Sequence, residues 1–557
     1  MAINFAIQSM DHSLRHANVI ALDEKWYYHL AKSADRWWKE GVIYQIYPRS
    51  FQDSNGDGIG DLNGIIQRLD YLSWLGVDAI WLNPIMPSPN VDWGYDVSDY
   101  TNIHPDFGTL EDFDRLLNAA HTKGIRVVLD LVPNHTSDQH FWFQDARSSR
   151  SSRYRDWYIW TDAKLDGSPP NNWLCCLGNS AWEFDQTTSQ YYLHTFHPAQ
   201  PDLNWWNPEV RQAFDQILEF WYARGIDGFR VDVAQGLIHD RQLHDDPKAT
   251  KDELRFYPFG LLPIYSMHRL ERHEIFRYWH QLSSQADPPR MLLAESGILS
   301  FPELANYYGN QDEFDLTHNF WFIQASLQAS DLSEIVTQVE ANFSKVDWPT
   351  YTGSNHDAGR LASRWCNGDE RKVRCALMML LTLRGTPILY YGDEIGLSNV
   401  EVPDNYSHDQ LAFDPQAIRD PGRTPMPWEP GKGAGFTKAA ANPWLPIGQP
   451  DSGTVAEQHD QENSILRFAR SLTQLRRQLP ELRTGNYQQI YLEQGTWAWR
   501  RGEQIVVALN LSERDDVIPR IKGEILLSTR EDREGELVDG QLNLTAFEGA
   551  ILRRSDS

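Results

Sequence analysis

Charged and polar side chains that could do chemistry stand at the ends of four short apolar segments. They are, in chain order, Asp130, His135, Arg230, Asp232, Glu295, His356 and Asp357. A charged residue inside an apolar strand costs free energy unless it is paired or used. Four such segments that deliver carboxylates, an arginine and two histidines therefore predict one reaction site.

Glycosidic cleavage needs this set of groups, because one carboxylate attacks the anomeric carbon and another protonates the leaving oxygen. Arg230 and Asp232 stand at i and i+2, so both point to one side of a strand, and the guanidinium favours an ionised nucleophile. Glu295 follows an apolar run, which would raise its pKa and suit a general acid. His135, His356 and Asp357 can hydrogen-bond sugar hydroxyls.

The elements that must position these residues alternate between short apolar runs and longer amphipathic segments. The runs fall at residues 42–46, 79–82, 127–132, 228–233, 291–295, 313–316, 351–355 and 387–391. Segments with helical spacing fall at 65–75, 110–121, 210–222, 268–286 and 371–383. Eight continuous apolar strands alternating with helices predict an α/β fold, a (β/α)8 TIM barrel. Chemistry in such a barrel lies where the strands end.

Two connections are too long for ordinary loops, and the pattern changes near the C-terminus. We predict an N-terminal extension at 1–35, a first barrel part at 36–134 and an inserted subdomain after strand 3 at 135–201. A second barrel part follows at 202–480, with a long loop at about 393–461. Short strand-like pieces without helices then predict a C-terminal antiparallel β-sandwich at 481–557.

The composition limits the classes of partner. Lys plus Arg number 51 against 77 Asp plus Glu in 557 residues, a net charge of −26, which disfavours nucleic acid and anionic membranes. A neutral small-molecule oligosaccharide fits better. The four cysteines have no C-x-x-C spacing, and neither a signal peptide nor a membrane span is indicated, so we expect a cytoplasmic protein. The oligomeric state stays open.

Several motifs together resemble the alpha-amylase superfamily, glycoside hydrolase family 13, and specifically its exo-acting alpha-glucosidase and oligo-1,6-glucosidase branch. They are Asp130-Leu-Val-Pro-Asn134-His135, Gly228-Phe-Arg230-Val-Asp232, Leu293-Ala-Glu295-Ser and Ser354-Asn-His356-Asp357. The resemblance implies Asp232 as nucleophile, Glu295 as acid/base and Asp357 as transition-state stabiliser, with retention of the alpha configuration. The substrate-binding residues that it implies are Asp92, Tyr95, Asp130, His135, Arg230, His356, Arg360 and Arg423. Tyr95 would be the stacking platform for the sugar.

Two further stretches bear on substrate choice. Asp92-Trp-Gly-Tyr95-Asp and Gly422-Arg423-Thr-Pro-Met-Pro-Trp resemble segments of the exo-acting branch, in which this Asp and this Arg pair and close the pocket. Val233 after the nucleophile resembles relatives that prefer alpha-1,6 bonds, whereas the Ala-Gln-Gly that follows resembles an alpha-1,4 branch. We expect alpha-1,4-linked short maltooligosaccharides. The alternatives are an oligo-1,6-glucosidase, a transglucosidase that uses a sugar or alcohol acceptor, and a non-catalytic binding subunit.

A metal loop is predicted far from these residues. Asp53-x-Asn55-x-Asp57-Gly-Ile59-Gly-Asp61 places oxygen ligands at alternate positions, as in the first half of a calcium loop. Gly64 stands where an EF-hand would need its last Glu, so the loop is not an EF-hand. The family branch carries calcium or magnesium here, which implies a structural Ca²⁺ held by Asp53, Asn55, Asp57, the Ile59 carbonyl and Asp61. The alternative is a metal-free turn. No organic cofactor is expected.

Overall fold

The computed structural model describes residues 36–557, except 252–253, 255–256, 298–299, 410, 412–417, 449–451, 531 and 556–557. The chain divides into two units, Met1–Trp37 and Trp38–Ser557. The predicted N-terminal extension at 1–35 lies outside the described residues. Everything below concerns the second unit.

The strands that the structure describes in the second unit belong to three sheets. They are β1 Ile43–Ile46, β2 Ala79–Leu82, β3 Arg126–Leu131, β4 Trp160–Thr161, β5 Trp182–Asp185, β6 Gln190–Leu193, β7 Gly228–Val231, β8 Met291–Ala294, β9 Leu316–Thr317, β10 Thr350–Tyr351, β11 Thr386–Tyr390, β12 Tyr487–Glu493, β13 Thr496–Arg501, β14 Ile505–Asn510, β15 Asp516–Ser528, β16 Leu537–Leu544 and β17 Glu548–Arg554. The α-helices of the described residues are α1 Trp37–Glu40, α2 Pro48–Phe51, α3 Leu62–Leu75, α4 Leu110–Thr122, α5 Phe141–Ala146, α6 Pro208–Arg224, α7 Arg272–Gln285, α8 Phe301–Ala305, α9 Phe320–Gln324, α10 Ala329–Asn342, α11 Leu361–Arg364, α12 Glu370–Thr382, α13 Val455–Asp460, α14 Ile465–Gln478 and α15 Pro480–Thr484.

Eight parallel strands form the predicted barrel, in the order β10-β11-β1-β2-β3-β7-β8-β9. Strands β1, β2, β7 and β8 are buried along their whole length, as expected for parallel strands covered by helices. The two outermost strands of this order, β9 and β10, are joined by a side chain: the Thr350 hydroxyl donates to the Thr317 carbonyl at 2.7 Å. The barrel is therefore nearly closed.

The sixth and seventh barrel strands are shorter than the apolar runs predict. The sixth covers Leu316–Thr317 rather than 313–316, because the Glu313 carboxylate lies outside the strand and pairs with His273 and Arg277. The seventh covers only Thr350–Tyr351, and the residues after it turn into the loop that carries His356 and Asp357.

The helices begin and end at residues that cap them. The Asp61 side chain accepts from the Gly64 N–H at the start of α3, and Gly76 ends that helix with a φ of 92°. Asn207 caps α6 in the same way, and Gly225 ends it with a φ of 102°. None of the helices in the described ranges combines the length and the apolar character that crossing a bilayer requires.

An inserted segment stands between β3 and β7. It contains α5 and the antiparallel sheet β4-β6-β5, held together by aromatic contacts such as Phe143 stacked on Trp160 at 5.6 Å. A bridge between His135 and Asp202 joins its two ends. The insertion therefore returns to the barrel next to the end of β3.

The C-terminal module is a six-stranded antiparallel sheet in the order β12-β13-β14-β17-β15-β16. One face forms its own core, to which Val506, Ile525 and Leu552 belong. Trp497 and Trp499, on the other face, belong to the large core that also contains the barrel residues. Shifts in the pairing of β15 interrupt its register with β16 and with β17.

Candidate active site

One buried arginine contacts three carboxylates where β3, β7 and β8 end. The Arg230 Nη1 donates to Asp130 Oδ1 at 2.7 Å and to Asp232 Oδ1 at 2.6 Å. Its Nη2 lies 2.5 Å from Glu295 Oε1. Asp130 stands opposite Arg230 in the pairing of β3 with β7, and Glu295 directly follows β8. The parallel register therefore brings the predicted nucleophile and acid side by side.

The charges of this group differ from the sequence-based expectation. We expected Arg230 to hold Asp232 ionised, but burial and the neighbouring Glu295 outweigh the guanidinium and raise the pKa of Asp232 well above its usual range. Burial also raises the pKa of Asp130 to about 6. Three carboxylates share one positive charge, so the group retains a proton at higher pH than isolated carboxylates would. Retention of a proton next to an ionised carboxylate is what a retaining glycosidase needs.

Asp357 faces two further arginines. Its Oδ1 lies 3.2 Å from Arg419 Nη1 and 3.2 Å from Arg423 Nη2, and its Oδ2 lies 3.1 Å from His356 Nε2. Burial would raise the pKa of Asp357, but the contact with His356 and the charges of Arg419 and Arg423 outweigh it and hold that pKa well below its usual range. Burial lowers the pKa of His356 to about 3, so this histidine is neutral near pH 7. The two arginines therefore keep Asp357 ionised.

The partner of Asp92 is Arg419, so the predicted pair of Asp92 with Arg423 is wrong. Arg419 Nη2 donates to Asp92 Oδ1 at 2.9 Å and to Asp409 Oδ1 at 2.6 Å. Arg423 instead donates from Nε to the His356 carbonyl at 2.8 Å and contacts Asp357. The two arginines flank a single 3₁₀ turn at Asp420–Gly422, and the path of this turn gives Asp92 the first of them.

Tyr95 and His135 lie on the wall of the same cavity, as predicted. The Tyr95 ring stacks on His356 with 5.2 Å between centroids, and its hydroxyl donates to Asp130 at 2.9 Å. The His135 Nε2 lies 3.0 Å from the Tyr95 carbonyl, and burial lowers the pKa of His135 to about 4. The Gln200 amide, 3.1 Å from both His135 Nε2 and Asp92 Oδ2, connects this wall to the Asp92–Arg419 pair.

The structure places Arg360, a predicted substrate-binding residue, away from the cavity lining. Arg360 is fully buried, donates to the Tyr391 and Thr424 carbonyls, and lies over the rings of Tyr390 and Tyr391. It does not line the cavity in the described part of the chain. Its role is to hold the loop after β11 in place.

The cavity that unites these residues has a volume of about 720 Å³, a size typical of small-molecule sites. Predicted residues that line it are Asp92, Tyr95, His135, Asp232, Glu295, His356 and Asp357. Asp130, Arg230 and Arg423 stand behind the lining and orient it. Residues that line it without having been predicted are Cys176, Phe196, Val233, Gln235, Gly297, Phe320, Gln324, Ala358, Gly359, Arg364, Asn399, Leu411, Ile418, Arg419 and Gly422.

These missed residues come from the insertion, from α9 and α11, from the long loop and from the loops after β7, β8 and β10, where no periodic pattern marks one side chain for the pocket. Two of them had a signal: Val233 directly follows the predicted nucleophile, and Arg419 stands four residues before Arg423 in the same charged stretch.

Val233 connects the nucleophile to the acid through a backbone donor. Its φ of 44° lies in the left-handed region, which is costly for a β-branched residue. In this conformation the Val233 N–H donates to Glu295 Oε2 at 3.1 Å. The strained residue therefore helps to fix the position of Glu295 next to Asp232.

The predicted metal loop forms a turn whose acidic oxygens accept from its own backbone. Asp53 accepts from the Gly58 N–H at 2.8 Å, and Asp57 accepts from the Ile59 N–H at 2.8 Å. Asp61 is the N-cap of α3. Oxygen donors of this type suit Ca²⁺. However, within the described residues no three His, Cys, Asp or Glu side chains converge so that they could hold a metal. The predicted ligands also include the Asn55 amide and the Ile59 carbonyl, and an ion would have to replace the backbone hydrogen bonds of the carboxylates.

Comparisons with known proteins agree with this geometry. The family model described as alpha amylase, catalytic domain, matches residues 45–485. The chain is 38% identical over 548 residues to a probable alpha-glucosidase of Rhizobium meliloti strain 1021, covering 93% of this chain and 97% of the relative. It is 37% identical over 534 residues to an oligo-1,6-glucosidase of Parageobacillus thermoglucosidasius, covering 89% and 94%.

A solved structure shares the architecture. The crystal structure of the alpha-glucosyl transfer enzyme XgtA superposes with a TM-score of 0.87 at 37% identity, covering 93% of this chain and 99% of that one. The family match extends over most of the chain. It includes β3, β7 and β8, the strands whose ends carry the carboxylates. The chain therefore belongs to the alpha-amylase family, glycoside hydrolase family 13.

Proposed function

We propose that this protein is a retaining, exo-acting alpha-glucosidase that releases terminal alpha-glucose from short maltooligosaccharides, with alpha-1,4 links preferred. One observation carries the proposal: a single guanidinium, that of Arg230, holds Asp232 and Glu295 side by side on the lining of a cavity. Adjacent carboxyl groups of this kind predict retention through a covalent intermediate.

In the first step the Asp232 carboxylate attacks the anomeric carbon. A bond forms between that carbon and an Asp232 oxygen while the bond to the leaving oxygen breaks, and the Glu295 carboxylic acid gives its proton to that oxygen. The ionised Asp357, held by Arg419 and Arg423, faces the positive charge that develops on the sugar ring.

In the second step the roles of Glu295 reverse. The Glu295 carboxylate takes a proton from a water molecule, and the water oxygen attacks the anomeric carbon and breaks its bond to Asp232. Two inversions at the same carbon release alpha-glucose. The Val233 N–H, at 3.1 Å from Glu295 Oε2, stabilises the carboxylate that exists between the two steps.

Exo action follows from the ion pair at the lining. Asp92 and Arg419 are largely buried, and both line the cavity together with Asp357. Their charged oxygens and nitrogens are suited to the hydroxyls of a terminal glucose, and we propose that the pair forms the closed end of the pocket. An internal bond of a long polymer would therefore not reach Asp232.

There are two alternatives to this function: one differs in the linkage that is cleaved, and the other in the acceptor that receives the glucosyl group. The 37% identical relative from Parageobacillus thermoglucosidasius is an oligo-1,6-glucosidase, and Val233 favours the same linkage. The similarity to XgtA, an alpha-glucosyl transfer enzyme, favours transfer to a sugar or alcohol acceptor in place of water. Both alternatives use the same covalent intermediate.

Product analysis separates these possibilities. With maltose, isomaltose and maltotetraose as separate substrates, we expect fastest release of glucose from maltose, with the alpha anomer appearing first by NMR. Faster cleavage of isomaltose would favour the 1,6 alternative, and trisaccharides from maltose alone would favour transfer. Initial release of beta-glucose, or no cleavage of any of the three, would contradict the proposal.

We also propose that the 53–61 loop takes up Ca²⁺ as a structural ion, with Mg²⁺ as a weaker substitute. The support is its donor set, three carboxylates with an amide and a carbonyl oxygen at alternate positions. Binding requires the carboxylates to exchange backbone hydrogen bonds for the ion, so we expect weak affinity. Millimolar Ca²⁺ should raise the thermal midpoint over EDTA, and Asp57→Asn should abolish the rise. An equal midpoint in Ca²⁺ and EDTA would contradict this.

The proposal includes a cytoplasmic location and a neutral sugar as partner. All four cysteines are free thiols, three of them buried, which suits a reducing compartment. The net charge of −26 disfavours polyanionic partners. Cell fractionation should recover the activity in the cytoplasmic fraction, and recovery from the periplasm or medium would contradict the location.

A further inference from the structure

We propose that a second cavity, separate from the catalytic one, binds a neutral glucosyl oligosaccharide. It lies between the insertion, the segment before α6 and the loop after β7. Its lining residues are Asp156, Tyr158, Ile159, Trp160, Asn204, Trp206, Asn207, His239, Asp240, Arg241 and Leu243. Its volume is about 640 Å³, and among the described residues it shares no lining residue with the catalytic cavity.

A tryptophan held in a fixed orientation forms part of this cavity. The Trp206 indole N–H donates to the His239 carbonyl at 2.9 Å, and the Arg241 guanidinium lies 4.1 Å from its ring centroid. Trp206 is only partly buried. The guanidinium covers one face of the indole, so a pyranose would place its C–H face on the indole surface that Arg241 leaves open.

Polar groups around this ring are available for hydroxyls. Arg241 and the carboxylate of Asp156 are exposed, and neither side chain has a hydrogen-bond or ion-pair partner among the residues that the structure describes. The buried Trp160 Nε1 has no hydrogen-bond partner among the described residues either, whereas His239 Nε2 lies 3.5 Å from Asp202 Oδ2. A carboxylate acceptor and a guanidinium donor beside an indole can bind neighbouring sugar hydroxyls.

The charge of the cavity selects a neutral ligand. The lining contains two carboxylates, Asp156 and Asp240, and one guanidinium, Arg241, and the net charge of the chain is −26. A phosphate or another polyanion would be repelled. Arg241 follows Asp232 by nine residues in the same loop, on the face of the barrel where the catalytic cavity opens. Sugar bound here would be retained near that opening.

The choice of a glucosyl ligand rests on the proposed function, whereas the cavity itself does not. The test uses Asp232→Ala protein, which binds substrate without turning it over, titrated with maltotetraose in a calorimeter. We expect two binding events per chain. Arg241→Ala in the same background should remove one event, and Trp206→Ala should do the same. Arg153→Ala is the matched control, because its guanidinium lies over an aromatic ring elsewhere in the insertion, 5.5 Å from the Tyr154 centroid.

The proposal would be overturned if the Asp232→Ala protein showed a single binding event and Arg241→Ala did not remove it. Two binding events that both persist in Arg241→Ala would overturn it as well. Arg241 is exposed, so its variant should fold even if Trp206→Ala does not. In the wild-type background Arg241→Ala should leave maltose cleavage unchanged. If the proposed function were wrong, wild-type protein would fail to cleave maltose, yet the event that depends on Arg241 would persist.

Discussion

Arg230 determines how the three carboxylates around it can be charged. It is 1% exposed and contacts Asp130, Asp232 and Glu295 at 2.5–2.7 Å. Without a positive charge between them, adjacent carboxylates resist simultaneous ionisation. Burial and Glu295 raise the pKa of Asp232, and the guanidinium partly offsets that rise. The balance lets one carboxylate be ionised while another keeps its proton.

Removing this guanidinium should shift the pH profile. In Arg230→Ala the lowering influence on the pKa of Asp232 is lost, so a higher pH is needed to ionise the nucleophile. We expect the acidic limb of kcat/KM to move to higher pH, with a fall of at least about a hundredfold near neutrality, as for loss of one electrostatic stabiliser. Arg230→Lys, which keeps the charge, should shift the limb less. An unshifted limb in Arg230→Ala would contradict this assignment, provided that the thermal midpoint shows a folded variant.

Glu295→Gln tests the acid role through the leaving group. The amide cannot protonate the leaving oxygen, so cleavage of maltose should fall by at least about a hundredfold. Nitrophenyl alpha-glucoside, whose leaving group needs little protonation, should lose much less in its first step. Equal losses for the two substrates would count against Glu295 as the acid. Gln324→Glu, at another lining position, is a control that should not restore activity to this variant.

At the scale of elements, the long loop between β11 and α13 completes the pocket. It supplies Arg419, which contacts three carboxylates: Asp92 at 2.9 Å, Asp357 at 3.2 Å and Asp409 at 2.6 Å. Asp409 also accepts from the Arg419 backbone N–H at 2.9 Å and from its Nε at 3.0 Å. Asp409 therefore orients Arg419 from within the same loop.

Asp409→Asn should weaken the positioning of the Arg419 side chain without removing a group that contacts the sugar. Hydrogen bonds to charged groups contribute about 1.5–3 kcal/mol, so we expect kcat/KM for maltose to fall by about tenfold to a hundredfold, mostly through KM. Asp404→Asn is the matched control, since Asp404 lies exposed in the same loop. A kcat loss with unchanged KM, or equal effects of both variants, would contradict a positioning role for Asp409.

The same loop shows where sequence reasoning fails. Arg230 and Asp232 could be predicted, because alternation along a strand fixes which side chains share a face. Arg419 and Arg423 could not be told apart as the partner of Asp92, because they flank one turn whose path depends on tertiary packing. Arg360 follows the Asp357 motif by only three residues, yet its side chain turns inward against Tyr391.

At the scale of the whole molecule, the C-terminal sheet is anchored to the barrel by buried arginines. Arg501, at the end of β13, donates to the Thr382 carbonyl at the end of α12 and to the Gly485 carbonyl after α15. Burial lowers the pKa of Arg501 well below its usual range. The cost of burying this charge is offset by the carbonyl groups that it satisfies.

Arg501→Met should destabilise the entire chain. The Thr382 and Gly485 carbonyls would lose their donor, and each unsatisfied buried group costs about 1–3 kcal/mol. We expect the free energy of unfolding to fall by that order. Arg500→Met, one residue earlier on β13, is the control and should change it by less than about 0.5 kcal/mol. Equal effects of the two variants in denaturant titrations would contradict the anchoring role.

The architecture itself could be predicted because continuous apolar strands alternating with amphipathic helices have few other arrangements. The two-residue lengths of β9 and β10 could not be predicted, since the run at 313–316 begins before the residues that pair in β9 and the run at 351–355 continues beyond those that pair in β10. The raised pKa of Asp232 could not be predicted from the sequence either, because it depends on the carboxylates that three strands bring to Arg230.

Direct detection of the glucosyl-enzyme tests the central claim most sharply. Glu295→Gln protein should be mixed with an activated alpha-glucosyl donor such as the fluoride, quenched in acid, and measured by intact mass spectrometry and peptide mapping. The account predicts a mass increase of one glucosyl residue, located on the peptide that contains Asp232 and absent from Asp232→Ala, Glu295→Gln protein. An adduct on another carboxylate, or turnover of the donor without any adduct and with inversion of the anomeric centre, would contradict it.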